Sequence, residues 1–153
     1  MQQHLRRWFI LLLSYIMIIV MAVAGYLYYE NMQTKRYIRA VEQQGGLTYI
    51  NEISNTYKST IEMYSNYKLN KERKAEIVVK LNELRKKLEQ VEQQVEDHEI
   101  DHPINYAAVY HDMKLVNVIL TDFSNDEIIP IVVLHAIEGI GDLKKEITYI
   151  EYR

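Results

Sequence analysis

The first hydrophobic feature of the chain is a run with no charged residue from Trp8 to Tyr29. A helix of about 20 apolar residues crosses the ~30 Å hydrocarbon core of a bilayer, and this run is long enough to do so. Aromatic side chains that favour the membrane–water interface stand at both of its ends: Trp8 at one, and Tyr26, Tyr28 and Tyr29 at the other. The pattern predicts a transmembrane anchor over residues 8–29, after a short basic tail over residues 1–7.

The same segment also has the features of a cleaved export signal. Arg6 and Arg7 form a basic start, and Ala22-Val23-Ala24 has the small-x-small form of a cleavage site. We expect an uncleaved anchor, because the apolar run continues beyond that site to Tyr29. The basic tail favours a cytoplasmic N-terminus and an extracytoplasmic C-terminal domain, although Lys35, Arg36 and Arg39 favour the opposite orientation.

After the anchor, apolar residues recur at alternating steps of three and four, which is the spacing of one helical face. Residues 30–46 are expected to extend the membrane helix to a stop at Gly45-Gly46, and residues 47–153 to form a separate helical domain. The domain has four such apolar helix faces, which we call seams. They are Ile50, Ile53, Tyr57, Thr60, Tyr64 and Tyr67; Ile77, Leu81, Leu84, Leu88, Val91 and Val95; Tyr106, Val109, Met113, Val116, Leu120 and Phe123; and Ile129, Val133, Ala136, Ile140, Leu143, Ile147 and Ile150. The second seam resembles a short coiled coil, with Lys, Glu and Gln on its other faces.

Several residues mark the ends of these helices. Asn70 suits the N-cap of the second helix, and Pro103 suits the first turn of the third. A capping box over residues 124–127, with Phe123 and Ile128 as a hydrophobic staple, is expected before the fourth. We interpret Pro130, Gly139 and Gly141 as flaws inside the fourth helix, which should bend or begin late. A short strand over residues 128–134 is the alternative.

Four seams joined by short connections predict an all-α protein, with an antiparallel bundle of about four helices after the anchor. The composition agrees: 5 Gly and 2 Pro among 153 residues are too few for a sandwich or barrel. The absence of Cys excludes disulfide scaffolds and thiolate metal sites. A net charge of −3 argues against a nucleic-acid partner.

Charge is distributed unevenly along the domain. Eight basic residues lie between Lys68 and Lys87, whereas from Glu89 to Asp142 there are twelve acidic residues and only Lys114 is basic. We expect solvated helix faces. The alternatives are a basic tip that meets lipid headgroups or an acidic partner, and an acidic tip that meets cations.

One short motif indicates chemistry. His98-Glu99-Ile100-Asp101-His102 matches H-E-x-x-H and resembles the zincin metallopeptidase motif. The resemblance implies zinc on His98 and His102, Glu99 as general base, and His111 or a downstream carboxylate as the third ligand. However, Pro103 disfavours helix at the residue before it, and the second seam continues in register onto both histidines. We therefore predict a structural role, with no catalytic residue, bound metal or cofactor.

The function expected from this sequence is protein–protein interaction. The chain should be a single-pass cell-membrane protein at a bacterial-type envelope, acting as a scaffold, regulator or accessory subunit. Its partners would be the lipid bilayer and another membrane or envelope protein, or further copies of itself. Tyr57, Tyr64 and Tyr67 are candidates for a ligand or partner groove. The alternatives are a small-ligand sensor domain that signals through a partner and a membrane-tethered zinc peptidase.

Overall fold

The computed structural model describes residues 2–95, 104–122 and 126–152, and side chains within 7–95, 104–122 and 126–150. These residues form five α-helices and no strand: α1 (Gln2–Gln43), α2 (Gly46–Ser65), α3 (Lys71–Val95), α4 (Tyr106–Thr121) and α5 (Ile129–Tyr152). A 3₁₀ turn over Asp126–Ile128 leads directly into α5. The all-α prediction is confirmed for these residues.

The first helix has two parts that differ in their packing. From Trp8 to Tyr29 its large apolar side chains are all exposed. Near its C-terminal end, Tyr37, Ile38 and Val41 are buried in the core of the other helices. The core is therefore built by α2 to α5 together with the last turns of α1, which we call the helical domain.

Two glycines form the tight connection between α1 and α2. Gly45 has φ 81°, a left-handed conformation that glycine adopts without steric cost. At Gly46, the first residue of α2, a Cβ atom would lie 2.6 Å from Val41 Cγ1 and 3.0 Å from the Val41 carbonyl oxygen. This close approach requires glycine at position 46 and holds the start of α2 against the end of α1.

The helices α2, α3, α4 and α5 pack in a ring, in which each helix contacts two of the others. The second helix packs on α3 and α5, and α4 packs on the same two helices, while α1 contacts α2, α3 and α5. The described seam residues are buried, with three exceptions. Tyr64 and Ile150 are half-buried, and Tyr67 lies beyond the end of α2, fully exposed, at φ 54°.

The fourth predicted helix begins differently from expectation. Because α5 starts at Ile129, Pro130 lies in its first turn, where a missing N–H is tolerated, and not in its interior. The alternative of a strand over residues 128–134 is wrong. Asn70 caps α3 as predicted, its Oδ1 accepting from the Arg73 N–H at 2.9 Å, and Asn105 caps α4. Phe123, Ser124 and Pro103 lie outside the described residues.

Candidate functional site

The N-terminal part of α1 has the properties of a membrane-crossing helix. Within the described residues, one helix is long and apolar enough to span a bilayer: Arg7–Gln43 contains a stretch of 18 residues with a mean hydropathy of 2.5, and none of that stretch is buried. The aromatic residues Trp8, Tyr26, Tyr28 and Tyr29 are all exposed on it. The rest of the described chain does not cover this apolar surface.

The three tyrosines predicted to line one groove lie in different environments. Tyr57 is fully buried in the core, so it cannot line a surface groove without a rearrangement. Tyr64 and Tyr67 share a surface depression of about 380 Å³, which is also lined by Ser65, Leu69 and Asp126. The structure therefore separates Tyr57 from the other two, because the seam that buries Tyr57 ends before Tyr67.

An ion pair lies beside this depression. The Lys74 ammonium donates to Asp126 Oδ1 and is almost completely buried, whereas the Asp126 side chain is about half exposed. The pair joins the start of α3 to the 3₁₀ turn that precedes α5. We expected the basic residues of 68–87 to be solvated, and all of them except Lys74 are exposed or half-buried. The ion pair with Asp126 explains why Lys74 can be buried.

The predicted metal candidates form no site in the described part of the chain. His98, Glu99 and His102 lie outside the described residues. His111 is 68% exposed, and its Nδ1 lies 3.6 Å from Asp112 Oδ1. Across residues 2–95, 104–122 and 126–152, no three His, Cys, Asp or Glu side chains are grouped to hold a metal ion.

The structure shows a buried polar cluster that the sequence reasoning missed. Its centre is Asp112 on α4, whose side chain is only 11% exposed. The Asp112 Oδ1 atom lies 4.0 Å from His135 Nε2 on α5 and 3.6 Å from His111 Nδ1, and both distances exceed a hydrogen bond. At Gly139 on α5, a Cβ atom would lie 2.7 Å from Asp112 Oδ2, so this glycine makes room for the carboxylate.

The Tyr57 hydroxyl lies within the electrostatic influence of the same carboxylate. It is buried and has no hydrogen-bond partner among the described residues. Burial raises the pKa of Tyr57 well above its ordinary value of 10.0, and the negative charge of Asp112 raises it further. A buried hydroxyl without a hydrogen-bond partner among the described residues is uncommon inside a helical core.

A second polar contact joins α3 and α4. The Tyr110 hydroxyl donates to Glu92 Oε2 at 2.8 Å, and the Arg85 guanidinium lies 5.6 Å from the centre of the Tyr110 ring. Burial, followed by this hydrogen bond, raises the pKa of Tyr110. Burial and the neighbouring Tyr37 hydroxyl raise the pKa of Tyr106 on the same helix. These contacts hold α4 against α3, and α4 packs on α5 as well.

Exposed apolar side chains remain on α4, on α5 and on the turn before α5. They are Leu115 and Val118 on α4, and Ile128, Ile131 and Leu134 on α5 and its preceding turn, with exposed fractions from 39% to 68%. Steps of three place each set on one side of its helix. Asp112 lies near His135, and this places α4 and α5 side by side at these positions. Leu115 lies one turn after Asp112 and Leu134 lies next to His135, so both are in the same part of the helix pair. We call these five residues the α4–α5 patch.

The chain matches no known protein family, no curated protein and no solved structure.

Proposed function

We propose that this chain is a single-pass membrane protein whose helical domain works by binding another protein. It would act as a scaffold, regulator or accessory subunit at a bacterial-type cell envelope. The observation that carries the proposal is the α4–α5 patch, because it is an apolar surface that neither the core nor the apolar part of α1 covers. Such patches on a folded domain are typical of protein–protein interaction sites.

The finer architecture is part of the same proposal. Residues 66–70 connect α2 to α3, and such a short connection favours antiparallel neighbours. The closed sequence of contacts, in which α2 and α4 each pack on α3 and α5, supports an antiparallel bundle of four helices. The last turns of α1 then pack against one end of this bundle.

We further propose that the helical domain lies outside the cytoplasm. Arg6 and Arg7 precede the apolar run on a short tail, and basic residues are enriched on the cytoplasmic side of spans. Because α1 continues without a break from the apolar run to Gln43, the domain would be held close to the membrane surface. A partner at that surface or in the same membrane is therefore favoured.

Cross-linking in native membranes tests the interaction. The wild-type chain, an Ile131→Glu variant and a Val79→Glu variant would be treated with the same reagent, and the products identified by mass spectrometry. Val79 is 58% exposed and Ile131 is 68% exposed, so neither variant buries a charge in the isolated domain. We expect one defined partner with the wild type and Val79→Glu, and its loss with Ile131→Glu. Equal products from all three chains would contradict the role of the patch.

The buried polar cluster supports a second candidate function, a sensor for a small ligand. Among the described residues the Tyr57 hydroxyl has no hydrogen-bond partner, and a polar ligand that entered between the helices beside Asp112 could supply one. A thermal-shift screen against a metabolite panel tests this function. A ligand whose stabilising effect is lost in Tyr57→Phe would support the sensor, whereas one that stabilises both chains equally would contradict it.

A further inference from the structure

An open cleft of about 470 Å³ separates α1 from the C-terminal end of α5. Its lining residues are Leu27, Glu30, Asn31 and Thr34 of α1, and Tyr149 and Ile150 of α5. The four residues of α1 are spaced by three, one and three positions, which places them on one face of that helix. The two residues of α5 form the opposite wall.

The cleft lies across the end of the apolar run. Leu27 belongs to the uncharged segment, and Glu30 is the first charged residue after it. At 1.5 Å per residue, the distance along α1 from Leu27 to Thr34 is about 10 Å. The headgroup layer on each side of a bilayer is about 5–8 Å thick. If α1 crosses a membrane as proposed above, the cleft opens into the headgroup layer, with Leu27 toward the acyl chains.

The lining changes in chemistry along this axis. The Leu27 side chain is apolar and exposed. The Glu30 carboxylate is in no ion pair among the described residues. The Thr34 hydroxyl does not donate its hydrogen to this carboxylate, because it donates to the backbone carbonyl oxygen of Glu30 at 3.0 Å. The Asn31 amide adds two N–H donors beside the carboxylate. An apolar end, an anionic acceptor and an amide donor therefore follow one another over little more than one helical turn.

We propose that this cleft binds one phospholipid whose headgroup carries a primary ammonium, the ethanolamine class. The ammonium would donate to the Glu30 carboxylate, the phosphate would accept from the Asn31 amide, and the glycerol region would lie against Leu27. A quaternary ammonium has no N–H to donate to Glu30, and an anionic headgroup would be repelled by it. The charge of Glu30 therefore selects among lipids that share the same phosphate and acyl chains.

Native mass spectrometry of the full chain in detergent tests the proposal. The protein would be titrated with an equimolar mixture of dioleoyl phosphatidylethanolamine, phosphatidylcholine and phosphatidylglycerol, and the single-lipid adducts counted. We expect the ethanolamine adduct to exceed each of the others by about fivefold, the effect of one partly exposed ion pair. Glu30→Gln should bind the three lipids equally, and Glu62→Gln, which alters an exposed glutamate on α2, should keep the preference.

Three results would overturn the proposal: no ethanolamine preference in the wild type, the same preference in Glu30→Gln, or loss of the preference in Glu62→Gln. Circular dichroism of each variant without lipid checks that the helices are unchanged. The proposal rests on the membrane anchor but not on the α4–α5 patch. A wild-type chain that leaves membranes in a carbonate wash contradicts both the anchor and the cleft. A chain that stays in membranes but shows no lipid preference contradicts the cleft alone.

Discussion

The apolar run of α1 and the helical domain use hydrophobic residues in opposite ways. Between Trp8 and Tyr29 apolar side chains cover every face of the helix, and all the large ones are exposed. In the domain, apolar residues form one seam per helix, and the seams are buried against one another. A continuous apolar run therefore indicates a helix surrounded by lipid, whereas an interrupted one indicates a helix that packs on protein. The α4–α5 patch is the exception, an apolar surface of the domain that remains exposed.

The largest expected effect concerns the apolar run. Replacing Ile16 and Ile18 together with Arg should release the chain from membranes, because each Arg near the bilayer centre costs about 2.5–3.5 kcal/mol on insertion scales. Membrane fractionation after a carbonate wash measures the release. A double variant that stays with the membranes as the wild type does would show that α1 is not a span.

The next effect concerns the buried seams. Leu84 is 2% exposed, so Leu84→Ala should lower the free energy of unfolding by roughly 2–5 kcal/mol. Glu83 is its exposed neighbour, and Glu83→Ala should cost less than about 0.5 kcal/mol. Denaturant titration compares the two variants. Similar small losses for both would mean that the seam of α3 is not buried.

The buried tyrosines predict a loss of stability at alkaline pH. Tyr57, Tyr106 and Tyr110 have pKa values raised above 10.0 in the fold. Below pH 10 these tyrosines are neutral in both states, and the free energy of unfolding is at its full value. Above pH 10 they ionise first in the unfolded chain, so the free energy of unfolding falls as the pH rises. From about pH 9 to 11, each tyrosine that ionises only in the unfolded chain should cost about 1.4 kcal/mol. Tyr57→Phe should reduce this loss, and the fully exposed Tyr67→Phe should not.

Denaturant titrations at the two pH values measure this dependence. At neutral pH, Tyr57→Phe should be at least as stable as the wild type, because the hydroxyl that it removes has no partner among the described residues. An alkaline loss that is unchanged in Tyr57→Phe would place the Tyr57 hydroxyl in contact with water.

Two glycines of α5 offer a smaller, paired test of how closely α4 and α5 approach. At Gly139 a new Cβ would meet Asp112 Oδ2 at 2.7 Å, whereas at Gly141 nothing lies within 4 Å. Gly141→Ala should therefore stabilise the domain by up to about 1 kcal/mol through helix propensity. Gly139→Ala should cost about 1 kcal/mol, because the buried carboxylate has to move. If thermal unfolding shows the same gain for both variants, Asp112 does not pack on Gly139.

The smallest expected effects concern the H-E-x-x-H motif. We predict that Glu99→Gln leaves fold and function unchanged, that His98→Leu is neutral or stabilising, and that the purified chain holds less than one zinc per molecule without added metal. Metal analysis and complementation measure these outcomes. Stoichiometric zinc, together with a Glu99→Gln variant that folds but is inactive, would instead establish the peptidase alternative.

The periodicity of the sequence predicted the helices and their buried faces because helix packing selects residues at steps of three and four. It placed Leu81, Leu84 and Leu88 correctly, since burial along one seam depends only on local spacing. The periodicity placed Pro130 in the interior of the fourth helix, but Pro130 lies in the first turn of α5. The spacing of apolar residues does not show that α5 begins at Ile129. It also grouped Tyr67 with Tyr57, although the helix between them ends at Ser65.

The candidate sites were less predictable because they depend on which helices become neighbours. Asp112 stands one position before the seam residue Met113, and only the approach of Gly139 from α5 shows that its carboxylate is buried. A charged residue beside one seam and a glycine flanking another were the only sequence indications of this pair. The α4–α5 patch required knowing that α4 packs on α3 and α5 and that these five side chains remain exposed among the described residues.

The central claim is that exposed apolar surface faces lipid in α1 and protein at the α4–α5 patch. Photo-activatable side chains at Met17, Val118 and Val79 would test it in native membranes, since these residues are 59%, 57% and 58% exposed. We predict lipid adducts at Met17, one defined protein adduct at Val118 and neither at Val79. Protein adducts of equal yield at Val118 and Val79, or an absence of lipid adducts at Met17, would contradict the account.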